Sequence, residues 1–66
     1  MNLTLNGART EISDARTVAD VADRLGLAPH TVLIEQNGVA LHQREWSGQR
    51  INEGDQLEFV RVVAGG

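Results

Sequence analysis

The chain has no cysteine. Neither a disulfide framework nor a thiolate metal site is available, so packing alone must hold the fold. Lysine is missing as well: all six basic residues are arginine. That removes side-chain Schiff-base chemistry and any isopeptide link through a lysine, and leaves the Met1 α-amino group as the one amine. No apolar run approaches the roughly 20 residues that span a bilayer, and the N-terminus lacks the basic and apolar regions of a secretory signal. A cytoplasmic location is therefore expected, with no membrane partner. Basic excess is absent too. Nine acids against six arginines give a net charge of -3 at pH 7, which repels a phosphate backbone and makes nucleic acid an unexpected partner. There is one proline, Pro29, and no internal repeat or linker. At 66 residues the chain is expected to form one small domain over 1–66, because folding at this size buries only about 60% of the surface exposed by the unfolded chain. A two-domain enzyme with a cleft is not expected.

What is present is strongly patterned. Leu3 and Leu5 alternate with polar residues, Asn6-Gly7 follows, and Ala8, Thr10 and Ile12 alternate in turn. Asn-Gly between alternating runs predicts a β-hairpin, since a two-residue type I′ turn needs positive φ at both central positions. Val18, Val21, Ala22 and Leu25 fall at i, i+3, i+4 and i+7 and predict a short amphipathic helix. Thr17 is placed to cap it, with Asp20 as a weak capping-box partner, and Gly26, Leu27 and Pro29 are placed to stop it. Val32 to Gln36, Asn37-Gly38 and Val39 to Leu41 predict a second hairpin. A short helical turn is expected within His42 to Ser47, a turn at Glu53 to Asp55, and a last strand from Gln56 to Val63 with Leu57 and Phe59 on one face and Glu58, Val60 and Val62 on the other. The order strand, strand, helix, strand, strand, turn, strand is that of an α+β, β-grasp (ubiquitin-like) domain: a mixed sheet of about five strands under one main helix, with the first and last strands as central neighbours.

The usual chemical constellations do not form. Ser13 and Ser47 have no histidine beside them for a triad. His30 and His42 lack metal-ligand spacing and read as surface residues, so no metal is expected. The carboxylates fall on turns and solvent faces, and the glycines are isolated at turns. The C-terminus stands apart. Ala64-Gly65-Gly66 follows a strand, and glycine there is entropically costly unless a backbone without Cβ is required. Four residues beyond Val62 reach about 13 to 14 Å at roughly 3.3 to 3.6 Å each, enough to present an α-carboxylate inside another protein. The plain alternative is a frayed end without function; in isolation the tail is expected to be disordered from Ala64 onward.

Four segments carry a family resemblance: Val32 to Gly38 (VLIEQNG), Arg44-Glu45-Trp46, Glu53-Gly54-Asp55 and Val60 to Gly66 (VRVVAGG). At these spacings the whole chain is similar to the ThiS family, the ubiquitin-like sulfur carriers of thiazole formation in thiamin biosynthesis. It departs from that pattern at Leu41-His42-Gln43, where many members have Val-Pro. The Pro-containing run that typically precedes the glycines of molybdopterin synthase small subunits is absent.

The resemblance implies a carrier and not an enzyme. The Gly66 carboxylate would be adenylated by a ThiF-like enzyme with Mg-ATP, converted to a thiocarboxylate with sulfur from a cysteine desulfurase, and used by the thiazole synthase ThiG. No bound cofactor is expected. Gly65 and Ala64 would belong to the slender tail that enters those active sites. Val60 and Val62, apolar on the face away from the helix, are docking candidates. Arg61 either pairs with a partner or solvates the strand end. Trp46 is a further docking candidate, though a lone Trp on a short turn more often plugs a small core. Other readings are the same chemistry in molybdopterin, cysteine or tRNA thiolation pathways, or a β-grasp interaction module with an incidental Gly-Gly.

Overall fold

The computed structural model describes residues 1–62. Its elements are β1 (Asn2–Leu5), β2 (Ala8–Glu11), α1 (Val18–Arg24), β3 (Val32–Gln36), β4 (Val39–Leu41) and β5 (Gln56–Arg61), with short 3-10 helices at Pro29–Thr31 and Gln43–Gly48. The five strands form one sheet in the order β2-β1-β5-β3-β4. β5 is central, parallel to β1 and antiparallel to β3, and both hairpins are antiparallel. This is the expected β-grasp arrangement. None of the described helices is long and apolar enough to cross a membrane.

Both Asn-Gly turns do what their chemistry allows. Asn6 and Gly7 have φ of 48° and 82°, and Asn37 and Gly38 have 50° and 85°, so both central positions of each turn are left-handed. The asparagine side chains also reach the central strand. Asn6 accepts from the Phe59 N–H and donates to the Phe59 carbonyl, while Asn37 accepts from the Gln56 N–H. Each turn is thereby stitched to β5 from a different side.

The helix starts and stops as its sequence specifies. The Thr17 hydroxyl accepts from the Asp20 N–H and the Asp20 carboxylate accepts from the Thr17 N–H, a complete capping box rather than a weak one. At the other end Gly26 takes φ +68°. Its N–H donates to Asp23, and that of Leu27 to Ala22, which is the Schellman pattern and satisfies the last carbonyls. Val18, Val21 and Ala22 are buried as the spacing requires. Leu25 departs from the expected stripe: it is the C-cap residue, where the helix has ended, and is 42% exposed.

The core lies between α1 and one sheet face, built from Leu3, Leu5, Ile34, Leu41, Leu57 and the helix residues, with Phe59 and Leu27 packed against it. Trp46 closes it from the Gln43–Gly48 turn and is only 4% exposed. Its Nε1 is buried without a hydrogen-bond partner among the described residues.

Candidate docking face and carrier terminus

Strand parity sorts the residues of β3 and β5 between two faces. Leu57, Phe59, Ile34 and Val32 point toward the helix, and the alternate residues point away from it. On the outward face Leu33 stands opposite Val60, and Val62 continues the line toward the terminus. Leu33, Val60 and Val62 are 58%, 53% and 46% exposed. Three adjacent exposed aliphatic side chains on an uncovered sheet face form an apolar patch, not scattered surface residues. The Val62 N–H donates to the Thr31 carbonyl at 2.7 Å, so the backbone remains clipped to the sheet one residue past β5.

The structure brings together Val60 and Val62, as expected, and adds Leu33, which the sequence reading missed. The signal was the unbroken apolar run Val32-Leu33-Ile34: a strand buried on one face alone should alternate, so the middle residue had to lie on the other side. Arg61 lies on the opposite parity from the patch, opposite Val32, and is exposed. The single ion pair among the described residues is Arg24 with Asp14 at 3.6 Å, so Arg61 has no acidic partner there. Trp46 must be corrected as a docking candidate, since its burial in the core leaves no ring face for a partner. Val63 and the tail residues Ala64, Gly65 and Gly66 lie outside the described residues.

A second feature underpins β5. Asp55, expected on a solvent turn, is 8% exposed. Its carboxylate accepts from Gln36 Nε2 at 2.9 Å, Asn37 Nδ2 at 3.0 Å and the Asn52 N–H at 2.8 Å. Burial raises its pKa, but the three donors outweigh that and hold it below the ordinary aspartate value. Gln36, itself 7% exposed, also donates to the Arg50 carbonyl. The network ties the start of β5 to the end of β3. Beside it, at the end of the sheet away from Val62, lies an open cleft of about 300 Å³ lined by Gln36, Val39, Leu41, Arg50 and Asn52 among others. Its lining offers amides and one guanidinium but no nucleophile. Among the described residues no group of acidic or histidine side chains is arranged to hold a metal ion.

The sheet order, the single helix and the central C-terminal strand define a β-grasp protein of the ubiquitin-like class. The sequence matches the model of the ThiS family over residues 3–66, and the chain belongs to that family. Among solved structures, the crystal structure of the thiamine biosynthesis protein ThiS from Geobacter metallireducens is similar at 30% identity, covering all of both chains with a TM-score of 0.84. A solution structure of a thiamine biosynthesis protein from the same organism gives 0.79, also at 30% identity, over all of this chain and 88% of that one. A thiazole synthase from Paramagnetospirillum magneticum is 30% identical over all 66 residues, and the chain spans only a fifth of that protein's length.

Proposed function

We propose that this protein is a sulfur carrier for thiamin thiazole synthesis and carries its sulfur on the Gly66 α-carboxylate. The observation that carries the reading is the family match, which runs through residue 66 and so includes the Gly65-Gly66 tail. A carboxylate is a poor electrophile. A ThiF-like enzyme with Mg-ATP would make it an acyl-adenylate, with pyrophosphate leaving. A protein persulfide charged by a cysteine desulfurase would displace AMP to give an acyl disulfide, and a second thiol would cleave its S–S bond, releasing the thiocarboxylate and forming a disulfide. The resulting thiocarboxylate is the sulfur donor to ThiG. A thiazole synthase that contains a segment similar to this whole chain supports ThiG as the acceptor, because one polypeptide there holds both parts.

In this scheme the protein is a co-substrate, and the chemistry resides in its partners. Its own contributions are mechanical and steric. The tail follows β5, the central strand of the sheet, Gly65 and Gly66 present no Cβ to a narrow tunnel, and the Leu33, Val60 and Val62 patch, which meets the tail in sequence at Val62, is the docking surface.

The test is intact mass spectrometry of the untagged protein after incubation with a ThiF-like enzyme, Mg-ATP and a sulfur donor. The expected result is replacement of one oxygen by sulfur at Gly66, absent from a variant lacking Gly65 and Gly66. No mass change with an activating enzyme shown to thiocarboxylate another carrier refutes the proposal.

A further inference from the structure

The outward face carries more than its apolar patch. Glu35 and Glu58 stand directly opposite each other on β3 and β5, both exposed, in the row next to Leu33 and Val60. Side chains directly opposite have Cβ atoms about 4.5 to 5.5 Å apart, and like charges in that position destabilise the sheet. No cation relieves them among the described residues, where the one ion pair is Arg24 with Asp14. The next residue across the sheet, Ala40 opposite Glu35 on the edge strand β4, is too small to cover the pair. Away from the tail, then, an open dicarboxylate row adjoins the apolar row, offset by two residues, or about 7 Å along the strand.

Building on the docking role proposed above, we infer that the partner of this face is a protein surface bearing an arginine or lysine that bridges Glu35 and Glu58 while an adjoining apolar surface covers Leu33, Val60 and Val62. We assign that surface to the ThiF-like activating enzyme. Charge complementarity selects a basic protein surface over other classes of occupant, and the activating enzyme is the first protein to bind the carrier in the scheme proposed above. Nucleic acid or an anionic lipid surface would meet the two carboxylates with like charge. A second copy of the face would bury carboxylates against a surface whose strand arginine, Arg9, lies on β2 at the opposite edge of the sheet, and unpaired buried charge is strongly unfavourable. A bridging guanidinium has the reverse effect, since it removes the repulsion and pairs each carboxylate with a donor. The apolar row supplies contact area and the acidic row supplies register: a partner docked one row out of place would leave both carboxylates desolvated and unpaired.

Isothermal titration of the full chain into the ThiF-like enzyme tests this with Glu35→Gln, Glu58→Gln, the double variant and Val60→Ala. The double variant is expected to bind at least tenfold more weakly, with the two single effects not additive. Its affinity should also depend less on salt between about 50 and 200 mM, where the screening length shortens appreciably. Its thermal midpoint should equal or exceed the wild type's, because a like-charge pair has been removed, so weak binding cannot be ascribed to unfolding. If the double variant binds within twofold of wild type while Val60→Ala weakens binding, the bridging cation is refuted and the apolar docking face stands. If neither weakens binding, the face itself is refuted, whereas thiocarboxylate formation, read separately by mass, is untouched.

Discussion

Replacing Asp55 tests whether the buried carboxylate network, and not the hairpin turn alone, anchors the start of the central strand. Asp55→Ala strands the Asn52 N–H and Asn37 Nδ2 and takes one of two acceptors from Gln36 Nε2. Hydrogen bonds to a charged acceptor contribute about 1.5 to 3 kcal/mol each. They share one acceptor group and Gln36 keeps the Arg50 carbonyl, so the loss should be about 2 to 4 kcal/mol rather than a simple sum. A 66-residue chain is stable by only about 3 to 10 kcal/mol, and the thermal midpoint should fall by roughly 10 to 25 °C. Asp55→Asn keeps the shape but points one amide at the Asn37 amide, which cannot turn over without losing the Gln56 N–H; about 1 to 2 kcal/mol is expected.

The pH dependence follows from the same geometry. The folded carboxyl titrates below its unfolded value of about 4, so its contribution is complete at neutral pH. It is lost as pH falls from about 5 through the folded pKa. Asp20, held low by the backbone N–H groups of Arg16 and Thr17, adds to the same acid limb. Asp55→Asn should therefore flatten the loss of stability on acidification without abolishing it. The assay is urea and thermal unfolding followed by fluorescence of the buried Trp46, the single tryptophan. A midpoint for Asp55→Ala within about 5 °C of wild type would overturn the account, since even one lost charged hydrogen bond exceeds that in a domain this small.

Three further outcomes are expected. Gly26→Ala meets no atom within 4 Å of the added Cβ but must hold φ near +68°, so it should cost about 1 to 2 kcal/mol from backbone strain alone, measured by the same unfolding curves. Asn6→Gly should lower stability by about 1 to 2 kcal/mol although glycine suits a left-handed turn position, because the two bonds to Phe59 are lost; an unchanged or improved midpoint would show that the asparagine serves only the turn. On the functional side, Gly65→Ala should lower the yield of thiocarboxylate at least tenfold in the mass assay, and a yield equal to wild type would remove the steric argument for the tail.

Local chemistry that repeats along the chain was legible in the sequence. The hairpins, the helix limits and the parity of β5 all follow from Asn-Gly pairs, from Thr17, Asp20 and Gly26, and from alternation of side chains. What could not be read depends on residues distant in sequence. Gln36 reaches Asp55 across 19 positions, and Asn6 reaches Phe59 across 53. Neither asparagine nor glutamine announces its partner, so Asp55 reads as an ordinary turn carboxylate until β3 and β5 are adjacent. Leu25 was misassigned for a local reason: the capping geometry ends the helix before its fourth stripe position. Leu33 was hidden because a continuous apolar run does not say which of its members faces outward. Of the candidate site, Val60 and Val62 were visible because they break the expected polar alternation of an outer face. The Glu35 and Glu58 pair depended on strand register, which the sequence leaves open.

The position of β5 bears on how the domain would answer to force. The strand that leads to the tail is gripped along both edges, parallel to β1 and antiparallel to β3, with the Asn6 side chain adding a further contact at Phe59. Sheet hydrogen bonds run across the strands, so a pull along the tail loads those of both neighbours in shear and at the same moment instead of peeling them one by one. A partner that draws the terminus into a tunnel would then extend the chain beyond the Val62 clip before it disturbed the sheet. In a single-molecule experiment pulling on the C-terminus, the domain should yield in one high-force step, and weakening the Asn6 stitch should lower that force more than removing the Thr17 cap, which lies outside the loaded strands.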